Sequence, residues 1–309
     1  MSDQLIIHAP AGALTSSAPA KRAARRLRDL GYAVSLDPSV GRRQQRFAGT
    51  DEERLATLHR VAQAAPSVAM AARGGYGMTR LLDRLDWALL ARSVEQGTRW
   101  VGYSDLTALQ CGLLAHQGCP SWHGPMAAED FGRSTYDDDD HREQNETTVA
   151  CFQEAMDGSL EAVGFRTESG FDGLGCRGTL WGGNLTMVCS LLGTPHWPQV
   201  RKGILFLEDV GEHPYRVERM LLQLLQAGVL GRQKAVLLGK FSDWKPSPLD
   251  RGYTLSSAVG HLRQHLDIPV LTGFPFGHTP LKVTVPVGVR VDLTVQGRDA
   301  LVAWDHGHS

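Results

Sequence analysis

Val101-Gly102-Tyr103-Ser104-Asp105-Leu106-Thr107 sets an apolar, β-prone lead-in, Trp100-Val101, before a glycine two places ahead of a serine. A helical apolar pattern follows at Leu106, Leu109, Leu113 and Leu114. A tight strand-to-helix turn of this kind can mount a nucleophilic serine: glycine relieves crowding, and the first amides of the helix face developing negative charge. Leu106 stands where the second glycine of a G-x-S-x-G turn would be. The stretch alone is therefore equally compatible with Ser104 or Asp105 acting as a helix cap.

Upstream, Leu5-Ile6-Ile7-His8-Ala9-Pro10 reads as a buried strand. A small-residue loop, Ala11-Gly12-Ala13, follows, and then a basic helix that Ser16 or Ser17 can cap and Gly31 ends. Tyr32 to Leu36 gives a second strand, so the chain opens with a βαβ unit and a parallel sheet. Thr50 and Glu53 form a capping-box pattern ahead of Leu55, Leu58 and Val61. Ser67 to Ala72 is a third strand, and it runs into Arg73-Gly74-Gly75-Tyr76-Gly77 before an expected helix over 78–85. Such a loop at a strand end lets backbone amides approach a ligand, although neither G-x-G-x-x-G nor a P-loop can be aligned to it. A tight turn that needs positive φ is the competing reading.

Downstream, His123 lies in Pro120-Ser121-Trp122-His123-Gly124-Pro125-Met126, where it could be a ligand or base, although a lone histidine beside Trp and Pro is more often structural. Asp137 to Asp140 reads as a solvated loop or helix start and not as a metal site, because adjacent side chains diverge. A helix is expected over 147–156, and the composition change places a boundary near residue 165, dividing the chain into 1–165 and 166–309. Gly203 to Asp209 is the clearest strand, four apolar residues ending in Glu208-Asp209, a position suited to a functional acid. An amphipathic helix over 215–227, a strand over 235–239 and a helix over 255–266 follow. His278 then sits on a Gly/Pro-rich turn ahead of a terminal hairpin. Ser104, Glu208 and His278 thus each stand at a strand end, in an order compatible with a triad.

Composition narrows the function class. The chain has 309 residues and a formal net charge of -1, which provides no electrostatic footprint for nucleic acid and no polybasic membrane anchor. Lys21, Arg22, Arg25, Arg26 and Arg28 form the solvated face of a helix that turns Ala23, Ala24 and Leu27 inward. Five cysteines without C-x-x-C spacing fit free thiols in a reducing compartment, with no zinc framework. The N-terminus shows no signal-peptide pattern and no stretch approaches a membrane span, so a cytoplasmic location is expected.

Seven runs, in order, resemble the LD-carboxypeptidases, the muramoyltetrapeptide carboxypeptidases of peptidoglycan recycling. They are Phe47-Ala48-Gly49-Thr50, Arg73 to Gly77, Gly102-Tyr103-Ser104-Asp105, His123-Gly124-Pro125-Met126, Trp181-Gly182-Gly183-Asn184-Leu185, Leu207-Glu208-Asp209 and Phe276-Gly277-His278. Glu212 to Leu224 resembles the family as well, whereas Pro10-Ala11-Gly12 departs from its frequent Pro-Ser-Gly. The resemblance implies an α/β fold: a Rossmann-like parallel-sheet N-terminal domain, then a β-rich α/β C-terminal domain, with the active site at their interface. It implies a serine peptidase with Ser104 as nucleophile, His278 as general base and acid, and Glu208 orienting the imidazole. The amides of Asp105 and Gly75 would form the oxyanion hole, and Gly74, Tyr76, Trp181 and Asn184 are expected at the substrate. No cofactor or metal is implied; the expected partners are a murein tetrapeptide or muropeptide and a second copy in a homodimer, with neither nucleic acid nor membrane. Two alternatives share these motifs: an immunity peptidase that cleaves microcin C-like peptide-nucleotides, and a non-catalytic muropeptide-binding protein. Similarity beyond the triad and the lack of a long extra loop favour the cell-wall enzyme over the first, and retention of all three triad residues argues against the second.

Overall fold

The computed structural model describes residues 3–305; Met1 and Ser2, part of the N-terminal reading, lie outside them. The first half alternates strand and helix: β1 (Gln4–His8), α1 (Ala18–Asp29), β2 (Ala33–Leu36), α2 (Asp51–Ala64), β3 (Val68–Ala71), α3 (Trp87–Glu95), β4 (Arg99–Gly102), α4 (Thr107–Gln117) and β5 (Ser121–His123). These five strands are parallel in the order β2-β1-β3-β4-β5. The order reverses between β1 and β3, and the loops leaving their carboxyl ends are the small-residue loop at Gly12 and the glycine-rich loop at Gly74. Sheets of this type bind ligands at such a crevice.

The long helix α5 (Asp139–Asp157) leads to the second half: β6 (Ala162–Arg166), β7 (Gly175–Asn184), α6 (Leu185–Leu191), β8 (Ile204–Val210), α7 (Pro214–Gln226), β9 (Ala235–Ser242), α8 (Leu255–Gln264), β10 (Val270–Thr272), β11 (Val285–Val287), β12 (Arg290–Gln296) and β13 (Asp299–Ala303). A seven-stranded sheet runs β10-β9-β8-β7-β12-β13-β6. Its β7 to β10 portion is parallel and its β12, β13 and β6 portion antiparallel. The expected division at 165 falls within β6, which belongs wholly to this second sheet. In the opposite sense, β11 crosses back and pairs antiparallel with β5, making the sixth strand of the first sheet.

Local chemistry accounts for most boundaries. The capping box of α2 is present in both directions: Glu53 N–H donates to Thr50 Oγ1 at 3.1 Å and Thr50 N–H to Glu53 Oε2 at 2.9 Å. α1 buries Ala20, Ala23, Ala24 and Leu27 and turns its basic residues outward; Ser17 stands at its N-cap position without a side-chain capping bond. The acidic run starts α5 at 139, ahead of the expected 147, because the Asp138 carboxylate accepts the His141 N–H at 2.8 Å and acids in the first turn suit the helix dipole. The expected helix over 78–85 is two short 3-10 turns, Met78–Arg80 and Leu82–Arg84. The Asp105 carboxylate takes the Met78 N–H at 2.8 Å, which ties the start of this segment to the serine turn.

The core lies between the sheets and their helices, with Leu205, Phe206 and Leu207 of β8 fully buried. Each such side chain contributes about 1.5–3 kcal/mol relative to exposure.

Candidate active site

Ser104 stands at the carboxyl end of β4 with φ of 60°, a left-handed conformation that a non-glycine residue adopts at a cost of about 1–2 kcal/mol. It begins a 3-10 turn, Ser104–Leu106, that runs directly into α4. The glycine-rich loop packs against it so closely that a Cβ on Gly74 would lie 2.8 Å from both Cβ and Oγ of Ser104, and 3.4 Å from Asp105 N. Gly74 therefore leaves a small hollow beside the hydroxyl and the Asp105 amide. The loop is fixed from behind: Gly12 N–H donates to Gly74 O at 2.9 Å, and the buried Arg54 guanidinium donates to Pro10 O at 3.1 Å and Gly77 O at 2.9 Å. Burial pushes the Asp105 carboxyl up to about 6, although the amides of Met78 and Gly77 and the charges of Arg54 and Arg46 pull the other way.

Glu208 and His278 meet across the second sheet. His278 Nδ1 lies 2.7 Å from Glu208 Oε2, and Glu208 is fully buried. The β8–β9 register explains the meeting: Leu207 pairs with Leu238 and Asp209 with Phe241, so Gly239 and Lys240 together face Glu208. This bulge frees Lys240 N–H to donate to Phe276 O at 2.7 Å, which draws in the segment that carries His278. Gly239 is obligatory there, since a Cβ would stand 2.4 Å from Phe276 O. The two carboxylates of Glu208-Asp209 have different partners beyond the Asn184 amide that they share. Asp209 accepts from Thr186 N at 2.9 Å and Thr186 Oγ1 at 2.7 Å and so anchors the start of α6, leaving Glu208 to the imidazole.

The interface places His278 against Tyr103, the residue that precedes Ser104. The ring of Tyr103 stands edge-on to the His278 ring with centroids 4.9 Å apart. Ser104 Oγ and His278 form no hydrogen bond among the described residues; the hydrogen bond that His278 makes from its ring is to Glu208. Burial lowers the His278 pKa, but the hydrogen bond and charge of Glu208, helped by Glu129, outweigh it and hold the imidazole above its ordinary 6.5.

The remaining expected site residues divide. Gly75 and Tyr76 are exposed at the mouth of the loop. Trp181 is a correction: it is 1% exposed, and its indole N–H donates to Gln233 Oε1 at 3.1 Å, so it is a core residue of the second sheet and not a substrate contact. Asn184 is also buried; its amide donates to Glu208 Oε1 at 3.2 Å and Asp209 Oδ1 at 2.9 Å, which orients the acid. His123 is structural, as its surroundings suggest: it is buried against Phe206 and Phe276, and burial followed by the neighbouring His278 lowers it to about 3.

Glu129, Asp130 and Lys282 carry no motif signal, yet they hold the His278 segment. Lys282 Nζ pairs with Asp130 at 2.5 Å with both side chains buried, and lies 5.1 Å above the Tyr103 ring. Tyr103 OH donates to Glu129 at 3.2 Å. No group of three or more His, Cys, Asp or Glu among the described residues could hold a metal ion. A cavity of about 620 Å³ along β6, β12 and β13 contains none of these residues, so size does not mark the site.

The chain thus joins a parallel-sheet unit that carries a strained serine turn to a second sheet that carries a buried Glu–His pair. The chain belongs to the LD-carboxypeptidase family: residues 6–124 match the LD-carboxypeptidase N-terminal domain and 177–293 the C-terminal domain. It is 31% identical to the probable murein peptide carboxypeptidase of Bacillus subtilis over 277 residues, 89% of this chain and 84% of that protein. The muramoyltetrapeptide carboxypeptidase structure from Oxalobacter formigenes superimposes with a TM-score of 0.87 at 41% identity, covering 98% of this chain and 99% of that one. The microcin C7 self-immunity protein MccF shares the fold, with a TM-score of 0.84 at 21% identity over 99% of this chain and 97% of that one. No described helix is long and apolar enough to cross a membrane.

Proposed function

We propose that the protein is an LD-carboxypeptidase that removes the terminal D-alanine from murein tetrapeptides by acyl transfer through Ser104, in cytoplasmic peptidoglycan recycling. The observation that carries this reading is the Glu208–His278 pair, with Nδ1 engaged at 2.7 Å, beside the strained Ser104 turn. With Nδ1 held by Glu208, Nε2 is the nitrogen left to take the Ser104 proton.

Ser104 Oγ attacks the carbonyl that joins the L-centre of the diamino acid, meso-diaminopimelate or lysine, to D-alanine. The tetrahedral oxyanion enters the hollow beside Gly74, where the Asp105 and Gly75 amides stabilise it; one such donor is worth about 2.7–4 kcal/mol of barrier. His278 returns the proton to the departing amine, and water activated by the same imidazole then releases the tripeptide. The raised pKa of His278 suits both steps, because the protonated form that must persist through collapse is stabilised by Glu208.

The likeness to MccF supports a second reading, hydrolysis of a processed peptide-nucleotide. The test is to offer the protein an L,D-tetrapeptide, its L,L isomer and a processed microcin, and to identify products by mass spectrometry. Tripeptide and D-alanine from the L,D substrate alone are expected; cleavage of the microcin without turnover of the tetrapeptide would overturn the reading. As a homodimer is also proposed from the family resemblance, sedimentation at micromolar concentration checks it independently.

A further inference from the structure

The arginines around the glycine-rich loop fall into two sets. Arg42 pairs with Glu53 at 2.8 Å, while Arg54 and Arg80 share Asp51 at 2.5 and 2.8 Å. Arg43 and Arg46 have no carboxylate partner among the described residues: Arg43 Nε donates to Gln45 O at 3.2 Å, and Arg46 lies over the Tyr76 ring at 5.7 Å. Arg73 approaches from the opposite side. Its Nη1 donates to Ala13 O at 3.1 Å, and its buried Nε has no hydrogen-bond partner, the Glu129 carboxylate standing 3.6 Å away.

Arg43, Arg46 and Arg73 line one cavity of about 170 Å³, together with Gly12, Gly75 and Tyr76. It opens outside the carboxyl ends of β1 and β3, at the reversal of strand order. Gly75 faces this cavity and its neighbour Gly74 faces Ser104, so the arginines begin one residue away from the hydroxyl. Three arginines lining one cavity, with the Glu129 carboxylate 3.6 Å from Arg73 and the buried Asp105 carboxyl within electrostatic reach of Arg46, leave positive charge that an anion would neutralise, and their planar forks match a carboxylate.

We propose that this cavity is the subsite for the free α-carboxylate of the substrate's last residue, with Arg46 and Arg73 as its cationic ligands. The proposal rests on the reading of Ser104 as the nucleophile. An enzyme that removes one residue must sense the chain end, and that carboxylate lies two bonds beyond the scissile nitrogen, on the side to which Gly74-Gly75 leads. Glu129 partly balances Arg73 and would repel a carboxylate placed too near the imidazole, which favours binding towards Arg46.

The experiment compares a murein tetrapeptide ending in free D-alanine with the same peptide ending in D-alaninamide, following tripeptide formation by mass spectrometry. Wild type is expected to favour the acid strongly. In Arg46→Ala and Arg73→Ala, kcat/KM for the acid should fall about tenfold to a hundredfold while that for the amide holds, so the preference collapses. Arg42→Ala, a neighbouring cation already paired with Glu53, should retain it. Arg46 is exposed, so its variant keeps the test independent of folding should Arg73→Ala be unstable. Equal cleavage of acid and amide by wild type, or variants that slow both in proportion, would overturn the subsite while leaving the peptidase reading intact. Failure of wild type to cleave either peptide would instead overturn the peptidase reading and the subsite with it.

Discussion

Ser104 concentrates strain and chemistry in one residue. Its φ of 60° suits glycine, so Ser104→Gly should be about 1 kcal/mol more stable than Ser104→Ala in denaturant unfolding, while both lose activity by roughly 10⁶-fold. Glu208 acts through its partner. Glu208→Gln removes the carboxylate charge and its charge-assisted hydrogen bond that raise His278, leaving burial and Lys282 to lower it against Glu129 alone. A general base must be neutral, so wild-type kcat/KM should climb with pH through a pKa above 6.5, and the variant's acid limb should move to lower pH. Its kcat should also fall by about 10⁴-fold, since amide replacement holds the imidazole in the wrong tautomer. A pH profile of both proteins checks this; an unmoved acid limb would contradict the role of Glu208.

At the scale of elements, two glycines are decisive because backbone or a reacting atom occupies their side-chain space. Gly74→Ala forces a Cβ within 2.8 Å of the Ser104 hydroxyl, and Gly239→Ala forces one within 2.4 Å of Phe276 O. The first should abolish turnover at an overpacking cost of about 1–3 kcal/mol. The second should displace the His278 segment and cost stability as well, which a paired activity and thermal-unfolding measurement separates. Asp105 gives the serine turn its own pH response. Its folded pKa of about 6 exceeds its ordinary 3.8, so the folded state retains a proton that the unfolded chain releases, and stability falls as pH rises from 3.8 to about 6. Asp105→Asn keeps an oxygen for the Met78 N–H but cannot ionise, so the fall in midpoint over that window should disappear.

The alternation of strands and helices, the capping box of α2 and the apolar run of β8 were legible because each signal lies within a few residues. The Ser104 turn was legible only as a pair of alternatives, cap or nucleophile mount, until Glu208 and His278 supplied a context. The 3-10 turns after Gly77 were not, since they answer to Asp105 from another strand. Trp181 misled for a similar reason: its motif neighbours Asn184 sits beside the acid, but strand alternation and Gln233 direct the indole into the core. The hold of Arg54 on Pro10 and Gly77 and the Asp130–Lys282 pair were invisible because those partners are far apart in sequence.

The whole molecule depends on the chain crossing its own interface three times. After β10 the chain leaves the second sheet, carries His278 and Lys282 through the cleft, and joins the first sheet as β11. Along that path Lys282 N–H donates to Thr148 Oγ1 at 2.8 Å, and its ammonium is buried against Asp130. Lys282→Ala leaves the Asp130 charge buried and unpaired and should cost about 3–5 kcal/mol. The double variant Lys282→Met with Asp130→Leu should recover most of that stability, because an apolar pair can replace a buried ion pair. Recovery of stability without full recovery of kcat would mark the pair as a positioning device for His278; no loss in the single variant would contradict it.

The central claim, that Ser104 opens the bond to the terminal D-alanine, meets its most direct test in D-alanine release from an L,D-murein tetrapeptide by wild type and Ser104→Ala. Rapid release by wild type and none above background by the folded variant are expected; turnover by Ser104→Ala at the wild-type rate would contradict the role of Ser104.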